Sequence, residues 1–466
     1  MAPIQALLVE LGNRFQTAGF DISLVGGPVR DALLGRLSQA PDLDFTTNAR
    51  PDQILELLEG LADSTWDVGI RYGTVGARIG SRECEITTYR SEHYDPTSRK
   101  PEVNFGDSLE GDLGRRDFTI NALALRLPEL TLVDLYNGVI DLAAGVIRTP
   151  NAPRMSFSDD PLRMMRAARF ASQLGFQVES ETLAAMVAMH ERITIVSIER
   201  VQVEFLKIVM SDDPRPGLKL LVDTGLADYV VPELPRMRLE VDEHLQHKDV
   251  YEHSLTVLEQ AIMMETLHEP VSGPDPVLRL AALFHDIGKP RTRKFDEGRV
   301  SFHHHEVVGA RMTRKRMKEF RFSNELIDDV SRLVELHLRF HGYGTGEWTD
   351  SAVRRYVRDA GPLLVRLHKL TRADCTTRNR KRAAALQRSY EQLETRIAEI
   401  TAQEELDSLR PDLDGQAIMR ILDIPAGPQV GKAYRFLMEL RLDSGPMDEQ
   451  AATEALLEWW AQQPKA

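Results

Sequence analysis

The sequence predicts an α+β protein: a small head with a mixed β-sheet and flanking helices, followed by a predominantly α-helical neck, a second helical domain and a helical tail. Three observations carry that prediction. Short β-branched runs bounded by glycines crowd residues 1–150. From about Pro161 the apolar residues take helical spacing and clear strands largely disappear. The chain has 466 residues, room for about three domains of about 150 residues each. Breaks at Thr149–Pro153, at Pro232–Arg238 and after Asp374 give expected domains of 1–150, 151–240, 241–380 and 381–466.

Composition narrows the class. Hydrophobic residues make up 42% and charged residues 28%, which excludes wholesale disorder. With 30 glycines and 24 prolines, collagen-like and low-complexity chains are excluded too. Two cysteines, Cys84 and Cys375, cannot build a disulfide framework or a four-thiolate metal site, and they fit a reducing cytoplasm. No apolar run reaches the roughly 18 residues of a membrane span, and the first residues show no basic patch leading an apolar stretch. A cytoplasmic protein without a membrane partner is expected, and no obligatory protein partner is evident.

In the head, Asp21–Val25 reads as a strand that stops at Gly26-Gly27. Pro28 suits a first helical position, so Val29–Leu34 reads as a helix. Leu43–Thr46, Thr74–Ile79 and Glu83–Tyr89 read as further strands. The glycine turn leaves free N–H groups at a helix start where a phosphate can approach the backbone, with Arg30 in the first turn. On a strand, Asp42 and Asp44 project to one face while Leu43 and Phe45 enter the core. An isolated Asp-x-Asp is usually a solvated strand edge. Beside a turn that can hold phosphates, it reads as a Mg²⁺ site for nucleotide chemistry, with Glu85 as a third carboxylate.

These residues resemble a known family. Gly26-Gly27 followed by Asp42-x-Asp44 is similar to the nucleotidyltransferase superfamily that includes DNA polymerase beta. More narrowly, Leu24 to Asp31 resembles the bacterial class II tRNA nucleotidyltransferases (the CCA-adding enzymes) and their poly(A) polymerase relatives. The resemblance continues through Arg115-Arg116-Asp117-Phe118-Thr119-Ile120-Asn121-Ala122, then Asp160-Pro161-Leu162-Arg163 with Arg166 and Arg169, then Glu199-Arg200-x-x-x-Glu204. The motifs follow the family's order over roughly the first 240 residues. The resemblance implies that Asp42 and Asp44 hold Mg²⁺ while a tRNA 3′-hydroxyl attacks the α-phosphate of ATP or CTP. It also implies that Gly26, Gly27, Arg30 and Arg116 hold the triphosphate.

Asp160 and Arg163 would be neighbours on one helix face, at i and i+3. Without context such a pair is a surface salt bridge. In this family an acceptor beside a donor is understood to accept C and A, which pair an amino group with a ring nitrogen, and to reject U and G. Arg166 and Arg169 continue that face, while Leu162, Met165, Ala168 and Phe170 mark the core side. The family usually has Glu where this chain has Asp159.

In the middle of the chain, His253 lies in a helical pattern over Val250–Ile262, His285-Asp286 follows the apolar run Leu278–Phe284, and Asp374 follows Leu370–Ala373. This order resembles the HD phosphohydrolase superfamily, a helical fold binding one or two divalent metals. His305 and His337 match positions that complete a second metal site in some members. Imidazole and carboxylate ligands suit Mn, Fe, Co, Ni or Mg. Such a centre fits hydrolysis of phosphodiesters, cyclic phosphates or phosphomonoesters, or a purely structural ion. The function expected for the whole is therefore CCA addition to tRNA. The alternatives are a poly(A) polymerase, a CC-only or A-only enzyme, a metal-dependent phosphohydrolase with an RNA-binding head, and a non-enzymatic tRNA scaffold.

The formal charge of −13 argues at first against RNA. It is unevenly spread. Residues 291–321 carry a net +6 and residues 354–382 a net +8, while residues 383–466 carry −7. Local clusters decide phosphate binding, so a single basic RNA path remains open.

Overall fold

The computed structural model describes residues 4–38, 41–67, 69–93, 102–105, 108–238, 249–266, 273–296, 299–340, 349–375, 380–404 and 410–463. The chain divides into two compact units, Met1–Pro235 and Arg236–Ala466. The boundary expected at 240/241 lies outside the described residues.

The first unit opens with helix α1 (Gln5–Thr17), strand β1 (Ile22–Val25), helix α2 (Gly27–Leu33), strand β2 (Leu43–Thr47) and helix α3 (Pro51–Leu58). Strands β3 (Ser64–Trp66), β4 (Thr74–Ile79), β5 (Arg82–Thr88), β6 (Arg90–His93) and β7 (Glu102–Phe105) follow, then helix α4 (Leu109–Gly114) and strands β8 (Leu123–Leu127) and β9 (Thr131–Asp134). Seven strands form one mixed sheet in the order β3-β4-β5-β2-β1-β8-β9, with β2 and β5 parallel and Asp44 opposite Glu85.

Strand alternation explains the head's two faces. Ile22, Leu24, Leu43, Phe45, Cys84 and Ile86 are buried in one cluster with Leu8, Leu11 and Phe15 of α1 and Ile54 and Leu58 of α3. Their alternating neighbours, Asp44 and Glu85 among them, therefore point to the opposite face. There a second cluster joins Val25 and Ala124 to Leu109 and Leu113 of α4.

Helix α5 (Gly138–Ala144), strand β10 (Val146–Ile147) and helix α6 (Pro153–Asp159) lead into the neck helix α7 (Leu162–Leu174). Leu162, Met165, Ala168 and Phe170 are buried, as their spacing predicts, and Gly175 caps α7 in the left-handed conformation. Strand β11 (Gln177–Val178) and helices α8 (Ser180–Met189), α9 (Ile198–Val209), α10 (Arg215–Asp223), α11 (Ala227–Val230) and α12 (Glu233–Arg236) follow, with α9 and α10 against α7.

Among its described residues, the second unit is helical apart from one hairpin. Its elements are α13 (Val250–Met264), α14 (Pro276–Phe284), α15 (Lys289–Thr292), strands β12 (Lys294–Asp296) and β13 (Arg299–Ser301), α16 (His305–Glu319), α17 (Asn324–Leu336), α18 (Asp350–Ala360), α19 (Leu364–Ala373), α20 (Arg380–Glu404), α21 (Gly415–Leu422), α22 (Pro428–Ser444) and α23 (Glu449–Ala461). Helix α14 is central, buried from Val277 to Phe284 and packed against α13, α17 and α19. A buried ion pair, Arg279 Nε to Glu265 Oε1 at 2.6 Å, fastens α14 to the end of α13. In the tail, Asp414 caps α21 by accepting from Ala417 N–H at 2.7 Å, and Gly427-Pro428 opens α22.

Candidate functional sites

Gly26 ends β1 and precedes α2 with φ +73°. The left-handed backbone favours glycine, and a Cβ there would stand 3.2 Å from Arg116 Nη1 and 3.9 Å from Asp44 Oδ2. The glycine turn, the paired aspartates and Arg116 thus meet at one point. Asp42 and Asp44 are exposed while Leu43 and Phe45 are buried, the expected alternation, although Asp42 sits just before β2. Desolvation of the Asp44 carboxyl, with the carboxylates of Glu85 and Asp42, pushes it up against the pull of Arg116 and Arg166. Carboxylates on one face suit a divalent cation, although Asp42, Asp44 and Glu85 do not gather as a tight group of three ligands.

Beside them lies a cavity of about 310 Å³ lined by Arg115, Arg116, Asp117, Asp160, Arg163, Arg166 and Arg200. Buried Asp112 holds Arg115 and Arg116, at 3.1 and 3.3 Å. Burial raises the Asp112 carboxyl, yet these two guanidinium groups win and hold it below the usual range. Asp117 accepts from Phe118 N–H and Asn121 Nδ2 through one oxygen and pairs with Arg166 at 2.7 Å through the other. Arg30 donates to Asp31 and Asn121, both at 2.8 Å, and lies over the Phe170 ring. Gly27 lies 3.8 Å from Arg30 Nη2, measured from where its Cβ would be.

One expectation is corrected here. Asp160 is not on a helix with Arg163: it is the extended residue between α6 and α7. The cause is Pro161, which disfavours helical backbone in the residue before it. Asp160 accepts from Leu162 N–H at 3.1 Å and pairs with Arg200 at 2.8 Å, not with Arg163. Arg163 is buried and donates to Ser156 Oγ at 2.7 Å and to the Arg115 carbonyl. Both still face the same cavity. Arg169 does not line it; it pairs with Glu204 at 2.6 Å and stacks on Phe170. The contributions of Arg200 and Asp112 were missed. The Glu199-Arg200 motif was the available signal, but its tie to Asp160 spans 40 residues.

The second unit gathers all six expected ligands. His253 Nε2 lies 2.9 Å from Asp374 Oδ1, 3.3 Å from His285 Nε2 and 3.6 Å from Asp286 Oδ2. On its other oxygen, Asp286 Oδ1 stands 3.2 Å from His305 Nε2 and 3.9 Å from His337 Nε2. Two ligand groups therefore share Asp286, and they are the groups of this tightness found among the described residues. His285, His337 and Asp374 each cap the C-terminus of a helix, where the helix dipole favours a cation. Gly288 lets α16 in: a Cβ there would meet the His305 carbonyl oxygen at 2.2 Å.

Three histidines are preset as ligands. The Nδ1 atoms of His285, His305 and His337 donate to the carbonyls three residues back, at 2.8, 2.8 and 2.6 Å. That leaves the Nε2 atoms of His305 and His337 facing Asp286 Oδ1 with no hydrogen-bond partner. Acceptors facing acceptors demand a shared cation. Burial favours a neutral His285, yet Asp286 and Asp374 outweigh it and push the ring up to about 10. Burial and the neighbouring His285 push His337 down to about 3. Lys289 adds a cation 2.6 Å from Asp286 Oδ2.

Three family models match parts of the chain. Residues 22–148 match the poly A polymerase head domain, residues 175–237 the domain described as "Probable RNA and SrmB- binding site of polymerase A", and residues 250–379 the HD domain. The chain resembles the CCA-adding enzymes. It is 41% identical to that of Lactobacillus helveticus over 243 residues, which is 52% of this chain and 59% of the relative. It is 42% identical to that of Enterococcus faecalis over 212 residues, 45% and 50% of the two chains. The chain thus spans a little over half the length of the curated relatives it matches. The fold is that of the Bacillus stearothermophilus CCA-adding enzyme in complex with CTP, with a TM-score of 0.71 at 24% identity over 99% of this chain and 98% of that one. The Thermotoga maritima CCA-adding enzyme complexed with tRNA gives 0.59 at 18% over 98% and 95%.

Proposed function

We propose that the protein is a tRNA 3′-terminal nucleotidyltransferase that adds C, C and A without a template, in the cytoplasm. It transfers CMP and AMP from CTP and ATP to the tRNA 3′-hydroxyl and releases pyrophosphate. The observation that carries this reading is the meeting of Gly26, Asp44 and Arg116 beside a cavity walled by arginines and two aspartates. Asp42 and Asp44, with Glu85, would hold Mg²⁺, which supplies charge neutralisation at the triphosphate and activation of the hydroxyl.

The chain's own residues do the rest. Gly26 and Gly27 let the phosphates approach the backbone, and Arg30 and Arg116 balance their charge. Asp112 and Asn121 hold those two guanidinium groups in place. Arg163, fixed in plane by Ser156 and the Arg115 carbonyl, keeps N–H groups for a base ring nitrogen. Asp160, oriented by Arg200, keeps lone pairs for the amino group of C or A. Arg166 extends the positive wall, and Arg169 positions α7 through Glu204. The division of labour is head at 1–150, neck at 151–240, HD domain at 241–380 and tail at 381–466.

The test is CTP and ATP together, one of them labelled, with tRNA lacking its 3′ end and Mg²⁺. Wild-type protein extends the tRNA by three nucleotides; Asp42→Ala and Asp44→Ala lower incorporation by about 10³-fold, about 4 kcal/mol of barrier. Equal incorporation by the variants overturns the reading, and a long A ladder or a one- or two-nucleotide product substitutes one of the partial or poly(A) activities.

A second reading concerns the HD centre. His253, His285, Asp286 and Asp374 would hold one divalent ion (Mn, Fe, Co, Ni or Mg), and Asp286, His305 and His337 a second. Its support is the buried Asp286 Oδ1 and the Nε2 atoms of His305 and His337, which have no hydrogen-bond partner. Phosphate ester hydrolysis abolished in His285→Ala is the activity to look for; none under any of these metals leaves the ion structural.

A further inference from the structure

The two basic stretches of the second unit, residues 291–321 with net +6 and residues 354–382 with net +8, meet different fates in the fold. In the later stretch, the cations from 354 to 372 are buried or paired. Arg354 is buried and donates to the Leu442 carbonyl at 3.1 Å. Arg355 and Arg358 pair with Glu439 at 2.9 and 3.3 Å, which fastens α18 to α22. Arg366 pairs with Asp275 at 2.7 Å, buried Lys369 donates to the Glu265 carbonyl, and Arg372 pairs with Glu394 at 2.9 Å. Those charges hold helices together.

The earlier stretch ends differently. From Arg311 to Arg321 stand six Lys and Arg against one acidic residue, Glu319. Arg311, Arg314, Lys315 and Lys318 fall at i, i+3, i+4 and i+7 of α16, so they share one face, and all four are exposed. Gly309, Thr313 and Met317, on the other side of the helix, are buried. Two carboxylates answer these cations. Asp328 of α17 pairs with Arg314, and Glu319 stands 2.7 Å from Arg316 and 3.9 Å from Lys315. Largely exposed pairs of this kind contribute about 0–1 kcal/mol and give way to a competing anion. The helix dipole favours cations in the last turn, which accounts for Arg316 and Lys318 but not for Arg311, Arg314 and Lys315. Just past the helix, exposed Arg321 takes left-handed backbone with φ +61°, so a cation stands where the backbone alone favours glycine.

The make-up of this face selects its occupant. None of the large apolar side chains of α16 is exposed. A membrane seat needs an apolar face beside its cations, a protein interface needs an apolar core, and a surface for unpaired bases needs aromatic rings. Cations alone, running for about 10 Å along the helix, suit a row of phosphates on a stem whose bases are already paired.

We propose that the exposed face of α16 formed by Arg311, Arg314, Lys315 and Lys318 binds the phosphate backbone of a double-helical RNA stem, and that the stem belongs to the tRNA extended by the head. The identity of the RNA rests on the function proposed above; the surface does not.

The experiment uses the full chain and tRNA lacking its 3′ end. Binding is followed by fluorescence anisotropy from about 50 to about 200 mM KCl, for wild-type protein and for the triple variant R311Q/K315Q/K318Q. Each lost phosphate contact flattens the salt dependence by about one, so the slope of log K against log [KCl] falls by about two to three in the triple variant. Binding at about 100 mM KCl weakens by about tenfold or more. The variant K315R/K318R keeps the charge and the wild-type slope. The variant R355Q/R358Q removes two charges from the other basic stretch and leaves the slope within about 0.5 of wild type. An unchanged slope in the triple variant overturns the surface, and an equal loss in R355Q/R358Q replaces it with an effect of net charge. An RNA hairpin and an unpaired RNA with the same number of phosphates are titrated in parallel; equal slope loss for both overturns the assignment to a stem. Nucleotide addition is measured on the same wild-type protein. Slope loss in the triple variant without addition by wild type keeps the surface and removes the tRNA reading, whereas addition with an unchanged slope does the reverse.

Discussion

In the head, Asp42 and Asp44 stand exposed at the start of β2, and the cations nearest them are arginines that line an open cavity. In the second unit, Asp286 is buried, and three of the four histidines around it are already held through Nδ1 by the backbone carbonyl three residues back. The difference teaches how each would use a metal. Exposed carboxylates let an ion come and go with a triphosphate, whereas a buried, preset ligand cage keeps its ion.

The sharpest way to break this contrast is Asp286→Asn. Metal content by elemental analysis falls to near zero, because both groups share that carboxylate, while nucleotide incorporation stays within about twofold. A chelator acts on wild-type protein in the same direction. An ion at 100 times its Kd contributes about 2.7 kcal/mol, so the second unit's thermal transition drops by roughly 5–10 °C. Unchanged metal content in the variant would erase the distinction.

Acidity gives the next largest effect. With its ring pushed up to about 10, His285 carries a proton at neutral pH that an entering ion must displace. Apparent metal affinity therefore rises with pH, by about tenfold per unit and about 100-fold from pH 6 to pH 8, read by chelator competition. His337, pushed down to about 3, is neutral throughout and adds nothing to the slope. A flat profile would show that His285 gives up no proton.

The smallest effect belongs to the head's backbone. Gly26→Ala places a Cβ in left-handed backbone, at about 1–2 kcal/mol, and crowds Arg116 Nη1. Incorporation falls about tenfold while metal content stays the same. Loss of both together would mean that the substitution unfolds more than the turn.

Much of this was legible because the signals are local. Asp42 and Asp44 alternate with Leu43 and Phe45, and strand period alone puts the acids outward. Helix ends announced His285, since Gly288 and Pro290 follow it. Asp160 shows a legible signal passed over: Pro161 disfavours the shared helix, and the proposed base-reading pair is an extended residue and a helical one lining the same cavity. What no local pattern holds is pairing at a distance. That Asp160 meets Arg200, that Glu85 stands opposite Asp44, and that His305 and His337 reach the far oxygen of Asp286 are products of packing.

The strand bearing Asp44 has β1 on one side and β5 on the other, and β1 in turn needs β8. A nascent chain ending before Arg82 would own the glycine turn, both aspartates and the β1 neighbour of β2, but not its β5 neighbour. Only when Leu127 has emerged can the sheet close around it. A chain must therefore be made through Leu127 before the strands on both sides of Asp44 and of the glycine turn are all present, and by then Arg115 and Arg116 have been made too.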